Sequence, residues 1–308
     1  MLTRSAGAVS LTRHRVDCSD AAERQRYIAG VEAAFGAWGG ERRFAWAFDR
    51  SCGAGPADLA VLVDPDGRWV AGSAVVPRLV RAPTGEVERA GIISSSWTLP
   101  EGRGRRLFSD LVDWSREVVR EHGGSIVLAF VTEANASCRR LAAAGADLIP
   151  TSYALWERPA DGEGAAPGVC TDPPSLLAER ALRPVPGAHG FNYPDVDAWA
   201  GQLLARPDPV DVVRVPGGAA VIERGPDTDR LLAAIADDPA GPLDPSAVIA
   251  TLLAGAARRS RKLFAFAIDP AWQAAARRLG ASIQAGRLCV LDDRRRGAPW
   301  TLASGDRM

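Results

Sequence analysis

The sequence predicts an α/β (α+β) protein of two lobes, each a mixed, mostly antiparallel twisted sheet flanked by helices. Three observations predict it. Apolar runs of strand length alternate with helical periodicity from about residue 9 to 157, the order helix, strand, helix, strand returns near the C-terminus, and a stretch rich in Pro and Gly separates the two. The expected division is a first lobe over 1–157, a linker over 158–190 that carries one short helix, and a second lobe over 191–308.

In the first lobe, "AERQRYIAGVEAAFG" places Tyr27, Val31, Ala34 and Phe35 at helical spacing, and "ERRFAWAFDR" predicts a second short helix. "DLAVLV", the turn "DPDG" and "RWVAGSAVVPRLVRA" predict a hairpin. After "PTGE" a third strand, "VERAGIISSSWTL", completes an antiparallel meander. Leu107, Leu111, Trp114 and Val118 mark one face of a long helix that stops at "EHGG". "SIVLAFVTE" is a buried strand, "NASCRRLAAAGA" a helix opened by an Asn or Ser cap, and "DLIPTSYALWE" a closing strand. In the second half "DPSAVIATLLAGAARRSR", "KLFAFAID", "PAWQAAARRLGA" and "GRLCVLDD" repeat that order, which predicts two copies of one fold.

Composition limits the function. The chain has 37 Lys+Arg against 37 Asp+Glu, so its net charge is zero, which argues against a nucleic-acid-coating surface and makes any anion site local. The five cysteines are odd in number, scattered, and nowhere at CxxC spacing. They argue against a zinc site or a disulfide framework, so no metal is expected and a reducing, cytoplasmic location is. The start, "MLTRSAGAVSLTRHR", is too short and broken an apolar patch for a signal peptide, and no run approaches membrane-spanning length.

The most informative stretch is "TLPEGRGRRLFSDL", residues 98–111. A helix start offers unpaired N–H groups and a partial positive charge, which suits an anion. Gly102 and Gly104 permit close backbone approach, and Arg103, Arg105 and Arg106 add charge-assisted donors. A diphosphate fits such a turn; the alternative is a solvated helix cap. There is no GxxxxGK[ST], and no GxGxxG between a first strand and helix, so neither nucleotide loop applies.

The meander, this turn, the long helix, the buried strand and "NASCRRLAAAGA" together resemble the GCN5-related N-acetyltransferase (GNAT) family, in its tandem form with a degenerate second domain. The family's turn reads "(h)P-(x)-(Y)-R-G-(x)-G"; Pro100, Arg103 and Gly104 match it, while Arg106 stands at the second glycine. The resemblance implies acetyl-CoA or another acyl-CoA as co-substrate, its pyrophosphate on the turn and its pantetheine arm between a splayed fourth and fifth strand. The binding residues it implies are Trp97, Thr98, Leu99, Arg103, Gly104, Arg105, Arg106 and Leu107. It further implies direct acyl transfer to the amine of a small-molecule acceptor.

The family's proton-donating tyrosine falls near Leu141 or Ala142, and neither can donate. The candidates left are Tyr153 as acid, Ser95 on one face of "IISSSW" with Ser94 and Ser96 on the other, and Glu88 or Glu133 as base. Each has an inert structural reading beside the catalytic one. The second copy's turn, "DDPAGPLDPS", carries acids and prolines and should not hold coenzyme A. In the tail "PWTLASGDRM", Trp300 and Asp306 resemble a Trp…Gly-Asp ending of tandem relatives and are expected as packing and solvated charge. Trp38, Phe44, Trp46 and Phe48 are either core or an acceptor-pocket wall. Two other functions stay open: a charged tRNA as aminoacyl donor on the same fold, and a ligand- or partner-binding protein without chemistry. The sequence leaves the oligomeric state open.

Overall fold

The structure is a computed structural model and describes residues 11–50, 52–157, 167–238, 241–292 and 297–307. Most of the N-terminal stretch, residues 158–166 of the expected linker, and residues 239–240 of the second turn lie outside the described residues.

The first half runs β1 (Thr12–Arg15), α1 (Ala21–Phe35), α2 (Gly40–Phe44) continuing into a π-helical turn over Ala45–Asp49, β2 (Asp58–Val63), β3 (Trp69–Arg81), β4 (Val87–Thr98), α3 (Leu107–Glu121), β5 (Ile126–Thr132), α4 (Ala136–Ala143) and β6 (Asp147–Trp156). The second half runs β7 (Gly168–Val169), α5 (Pro174–Ala181), β8 (His189–Asn192), α6 (Val196–Leu203), β9 (Val210–Val215), β10 (Gly218–Arg224), β11 (Thr228–Ala236), α7 (Pro245–Ala257), β12 (Lys262–Ala267), α8 (Pro270–Arg278), β13 (Ser282–Asp292) and β14 (Trp300–Thr301). A 3-10 turn over Ser304–Arg307 follows.

Local chemistry sets most helix starts. The carboxylates of Asp20, Asp195, Asp244 and Asp269 and the amide oxygen of Asn135 accept backbone N–H groups at the starts of α1, α6, α7, α8 and α4. Each cap satisfies one of the donors that a helix leaves unpaired.

The repeat predicted from sequence is present. Each half has an antiparallel meander, β2–β3–β4 or β9–β10–β11, then a helix and a strand parallel to the last meander strand: β5 beside β4, and β12 beside β11. The closing strands are exchanged. β13, from the second half, lies between β5 and β6, and β6 lies between β13 and β12. Each half thereby covers the edge that the other would leave unpaired. β13 is a central strand with both faces covered: Leu288 and Val290 enter the core under α1, and Cys289 and Leu291 enter the core under α3 and α4.

The core under α1 and α2 is aromatic. Tyr27, Phe44, Phe48 and Trp97 meet edge to face, and Trp38 stacks on Phe48 with ring centres 5.6 Å apart. Phe44, Trp46 and Phe48 are buried and Trp38 packs against them, so these four residues are core rather than an open wall.

In the second half, α7 and α8 cover one face of the sheet and α5 and α6 the other. The tail turn Ser304–Arg307 enters this second core, where Gly305 lies against Leu203 and Leu232. Asp306 is buried and is not the solvated charge expected: the Tyr193 hydroxyl donates to it at 2.7 Å and the Ala303 amide at 2.6 Å.

Candidate active site

β4 and β5 pair only between Ala90–Ile93 and Ile126–Ala129. Beyond this, β4 stays on β3 as far as Thr98 while β5 follows β13, so the two strands part in a V. The V opens at Ser95, whose φ of 47° makes a bulge; the register jumps there from Ala74↔Ser94 to Gly72↔Trp97. The extra residue inverts the alternation, so Ile92 and Trp97, an odd number apart, reach the same core. This corrects the expectation that Ser94 and Ser96 share a face. Ser95 and Ser96 line the cleft in the V and Ser94 does not, while Ser96 Oγ lies 2.7 Å from Ser73 Oγ.

The cleft has a volume of about 460 Å³ and runs from the V to the turn before α3. Ala129, Phe130 and Val131 of β5 form one wall, and the first residues of α4 close the end. The turn leaves donors unused. The Gly102 amide is taken by Leu99 O at 2.9 Å and the Arg103 amide by Pro100 O at 3.2 Å. Among the described residues, the amides of Gly104, Arg106, Leu107 and Phe108 have no such partner, and no side chain caps α3. Gly104 has φ 80° with open space where a Cβ would stand, so a ligand can approach the backbone there. Gly102 serves the turn's own packing instead: a Cβ on it would lie 3.0 Å from Val70 O.

Three arginines, Arg103, Arg106 and Arg140, line this cleft, and no carboxylate does so among the described residues. A cationic end with free amides suits a phosphate ester. The matching start of α7 is different, because Asp244 accepts from the Ser246 amide at 2.9 Å and Pro245 occupies the first helical position. A negative group of the chain itself fills the place of an anion there.

No protein-family model matches the chain, and no curated protein matches it. Solved structures do. The tandem GNAT protein from the clavulanic acid biosynthesis pathway superposes with a TM-score of 0.62 at 15% identity, over 92% of this chain and 98% of that one. A GCN5-related N-acetyltransferase from Sphaerobacter thermophilus gives a TM-score of 0.56 at 16% identity, over 96% and 98%. One from Kribbella flavida gives 0.54 at 14% identity, over 92% of this chain and 71% of that one. This chain has the tandem GCN5-related N-acetyltransferase fold.

Within the GNAT fold, the structure distributes the expected residues unevenly. Trp97, Thr98, Arg103, Gly104, Arg106 and Leu107 line the cleft. Leu99 does not: its amide donates to Val70 O at 2.9 Å and its side chain packs on the core, so β3 has already used that donor. Alternation along an antiparallel pair then turns the Thr98 amide away from β3, toward the V. Arg105 lies outside the cleft lining.

Of the acid–base candidates, Ser95 lines the cleft together with its neighbour Ser96, and Tyr153, Glu88 and Glu133 do not. Glu88 pairs with Val80 near the other end of β4, about 23 Å along the strand from Ser95. Glu133 is an exposed partner of Arg287 at 3.0 Å. Tyr153 sits on β6, two strands from β5, with its ring over Gly286, and burial pushes its hydroxyl pKa up.

Sequence patterns alone do not point to Arg140, Asn135 and Ser137 around α4, Phe130 from β5, or Phe35 from the end of α1, all of which line the cleft. Asn135 is legible as a cap; only the tertiary V brings its helix to the arginine turn. Among the described residues, no helix is long and apolar enough to cross a membrane, and no cluster of His, Cys, Asp and Glu could hold a metal.

Proposed function

We propose that this chain transfers an acetyl or other acyl group from acyl-CoA to the amine of a small molecule, directly, in a ternary complex. The supporting observation is one arrangement: four unpartnered amides at an uncapped helix start, with three arginines, at the end of a cleft that continues into the V between β4 and β5. The diphosphate of the donor takes the amides from Gly104 to Phe108, with Arg103, Arg106 and Arg140 around it. The pantetheine arm lies along β4 and bonds the outward amide of Thr98. The acyl carbon then lies near the bulge at Ser95, where an amine forms the new C–N bond as the C–S bond breaks. The proton lost by the amine balances the one gained by the leaving thiolate.

No carboxylate or imidazole lines the cleft among the described residues, so proton transfer falls to hydroxyls such as Ser95 and Ser96 and to water. The amine therefore has to arrive neutral, and turnover rises with pH through the acceptor's own pKa. The same lack of acid–base groups favours a second reading, a GNAT fold that binds its ligand without chemistry.

Thermal unfolding with and without acetyl-CoA, followed by thiol release over a panel of small amines, tests both. Under the first reading, donor at a hundred times its dissociation constant stabilises the fold by about 2.7 kcal/mol, and at least one amine releases thiol. Stabilisation without release on any amine supports the second reading. No stabilisation by acetyl-CoA contradicts both forms of donor binding, and retention of charged tRNA in its place supports the aminoacyl donor.

A further inference from the structure

The face of the V beneath α1 holds chemistry that the donor site does not use. Phe130, which lines the cleft, meets Phe266 of the second half edge to face, ring centres 5.7 Å apart, and Phe266 meets Tyr153 at 5.5 Å. Gly286 has no side chain to keep these rings apart, and a Cβ there would overlap Tyr153. The Arg307 guanidinium lies over them, its Cζ 4.7 Å from the Phe266 ring centre, 5.1 Å from Tyr153 and 5.3 Å from Phe264. Among the described residues Arg307 has no carboxylate partner; its Nε donates to Ser304 O at 3.3 Å.

More positive charge stands beside it. Arg206 and Arg230 share Glu223, at 3.0 and 3.3 Å, and Arg230 also reaches Asp208 at 3.4 Å. Arg43 lies over Trp38 at 6.0 Å, with its Nε buried and unpartnered. Burial pushes the guanidinium pKa of both Arg43 and Arg307 down; the Tyr153 hydroxyl pulls Arg307 back ahead of the lowering effect of Arg206 and Arg230, and at Arg43 the charge of Arg230 adds to burial while Glu223 and Asp208 oppose it. Arg206 and Arg230 thus hold Glu223 and Asp208, while among the described residues the neighbouring Arg43 and Arg307 reach no carboxylate. Such groups hold their charge best when an oxyanion completes the pairing, and a planar guanidinium offers it two parallel donors.

We propose that the acceptor is an amine bearing an oxyanion, carboxylate or phosphate, which places its apolar body on Phe130, Phe266 and Tyr153 and its oxyanion on Arg307. The inference rests on the N-acyltransferase reading and gives the second half a role in the reaction, since Phe266 and the arginine that recognise the acceptor both come from it.

The test uses matched pairs with the full chain: L-phenylalanine against L-phenylalaninamide, L-leucine against L-leucinamide, and O-phosphoethanolamine against ethanolamine. Acetyl-CoA binding is measured first by thermal shift, then binding of each probe to the donor-loaded protein, then acetylation. The charged member of at least one pair is expected to have at least tenfold higher kcat/KM. The amino acids leading identifies a carboxylate acceptor, and phosphoethanolamine leading identifies a phosphate one. Arg307→Gln is expected to raise KM for the charged member at least tenfold with kcat and acetyl-CoA affinity little changed, and Arg307→Lys to restore part of it. Should Arg307→Gln fail to fold, Arg43→Gln carries the same expectation at smaller size. Loss of donor binding in the wild type overturns the donor reading and this inference together. Donor binding with neutral members preferred, with no charged probe bound, or with KM unmoved in the folded variants, overturns this inference alone.

Discussion

The indole of Trp97 rests against the backbone of Gly30 in α1, where an added Cβ would lie 2.6 Å from Cζ2 of the ring. Gly72 on β3 makes the same room on the other side, so a glycine from the helix and one from the sheet hold this side chain at the open half of β4. Two effects oppose at Gly30→Ala: alanine favours the helix by about 0.5–1 kcal/mol, and overpacking a filled core costs about 1–3 kcal/mol. Overpacking wins, because the ring is enclosed. The variant is expected to lose about 1–2 kcal/mol in chemical denaturation and, because Trp97 belongs to the strand that lines the cleft, to bind acetyl-CoA more weakly.

Arg106 stands where the family has glycine, and it adopts φ 62°. A left-handed conformation costs a non-glycine residue about 1–2 kcal/mol, while glycine's extra freedom in the unfolded chain returns about 0.5–1 kcal/mol of that. Arg106→Gly is therefore expected to raise the stability of the free protein slightly, by about 0.5 kcal/mol, read in urea unfolding. A clear loss of stability would show that the Arg106 side chain makes interactions that outweigh its backbone strain.

Arg103 and Arg140 approach the cleft end from different elements, so their losses should add rather than substitute for one another. Each charge-assisted hydrogen bond contributes about 1.5–3 kcal/mol, so each alanine variant is expected to weaken acetyl-CoA binding about 10- to 100-fold in calorimetric titration. The double variant should lose about the product, with its affinity less sensitive to salt. Unchanged affinity in both single variants would remove these side chains from the donor site.

Asp306 gives a pH-dependent expectation. Burial holds its carboxyl pKa above the ordinary 3.8, although the Tyr193 hydroxyl, the Ala303 amide and the charge of Arg78 pull it back. The folded state therefore binds a proton that the unfolded chain has lost. The associated stability is fully present below the unfolded value and is lost as pH rises through the folded one. Asp306→Asn keeps one acceptor and leaves one of two donors unpaired, at a cost of about 1–3 kcal/mol. The stability gap between wild type and this variant should be widest in acid and narrow toward neutral pH; a gap that widens with rising pH would contradict the sign.

What the sequence shows of this fold, and what it hides, follows from where each signal resides. The meander, the arginine turn and α3 are local: alternation, turn residues and a helical stripe at Leu107, Leu111, Trp114 and Val118 set them. The exchange of β6 and β13 leaves no local trace, because Gly286 pairs with Thr151 across the chain, and two apolar strands read alike wherever they sit in a sheet. The bulge at Ser95 is hidden for a different reason. Three serines in a row carry no apolar alternation, so the inserted residue does not disturb a visible pattern. The tail misleads through composition: "SGDR" reads as solvated, and only a core that already holds Tyr193 and Gln202 makes a buried Asp306 tolerable.

A crystal structure of the protein soaked or grown with acetyl-CoA tests donor binding at the α3 start most directly. Diphosphate density is expected at the start of α3, within hydrogen-bond distance of amides between Gly104 and Phe108, with the pantetheine arm entering the V between β4 and β5. Density for the donor elsewhere, or an empty α3 start at saturating acetyl-CoA, would contradict it.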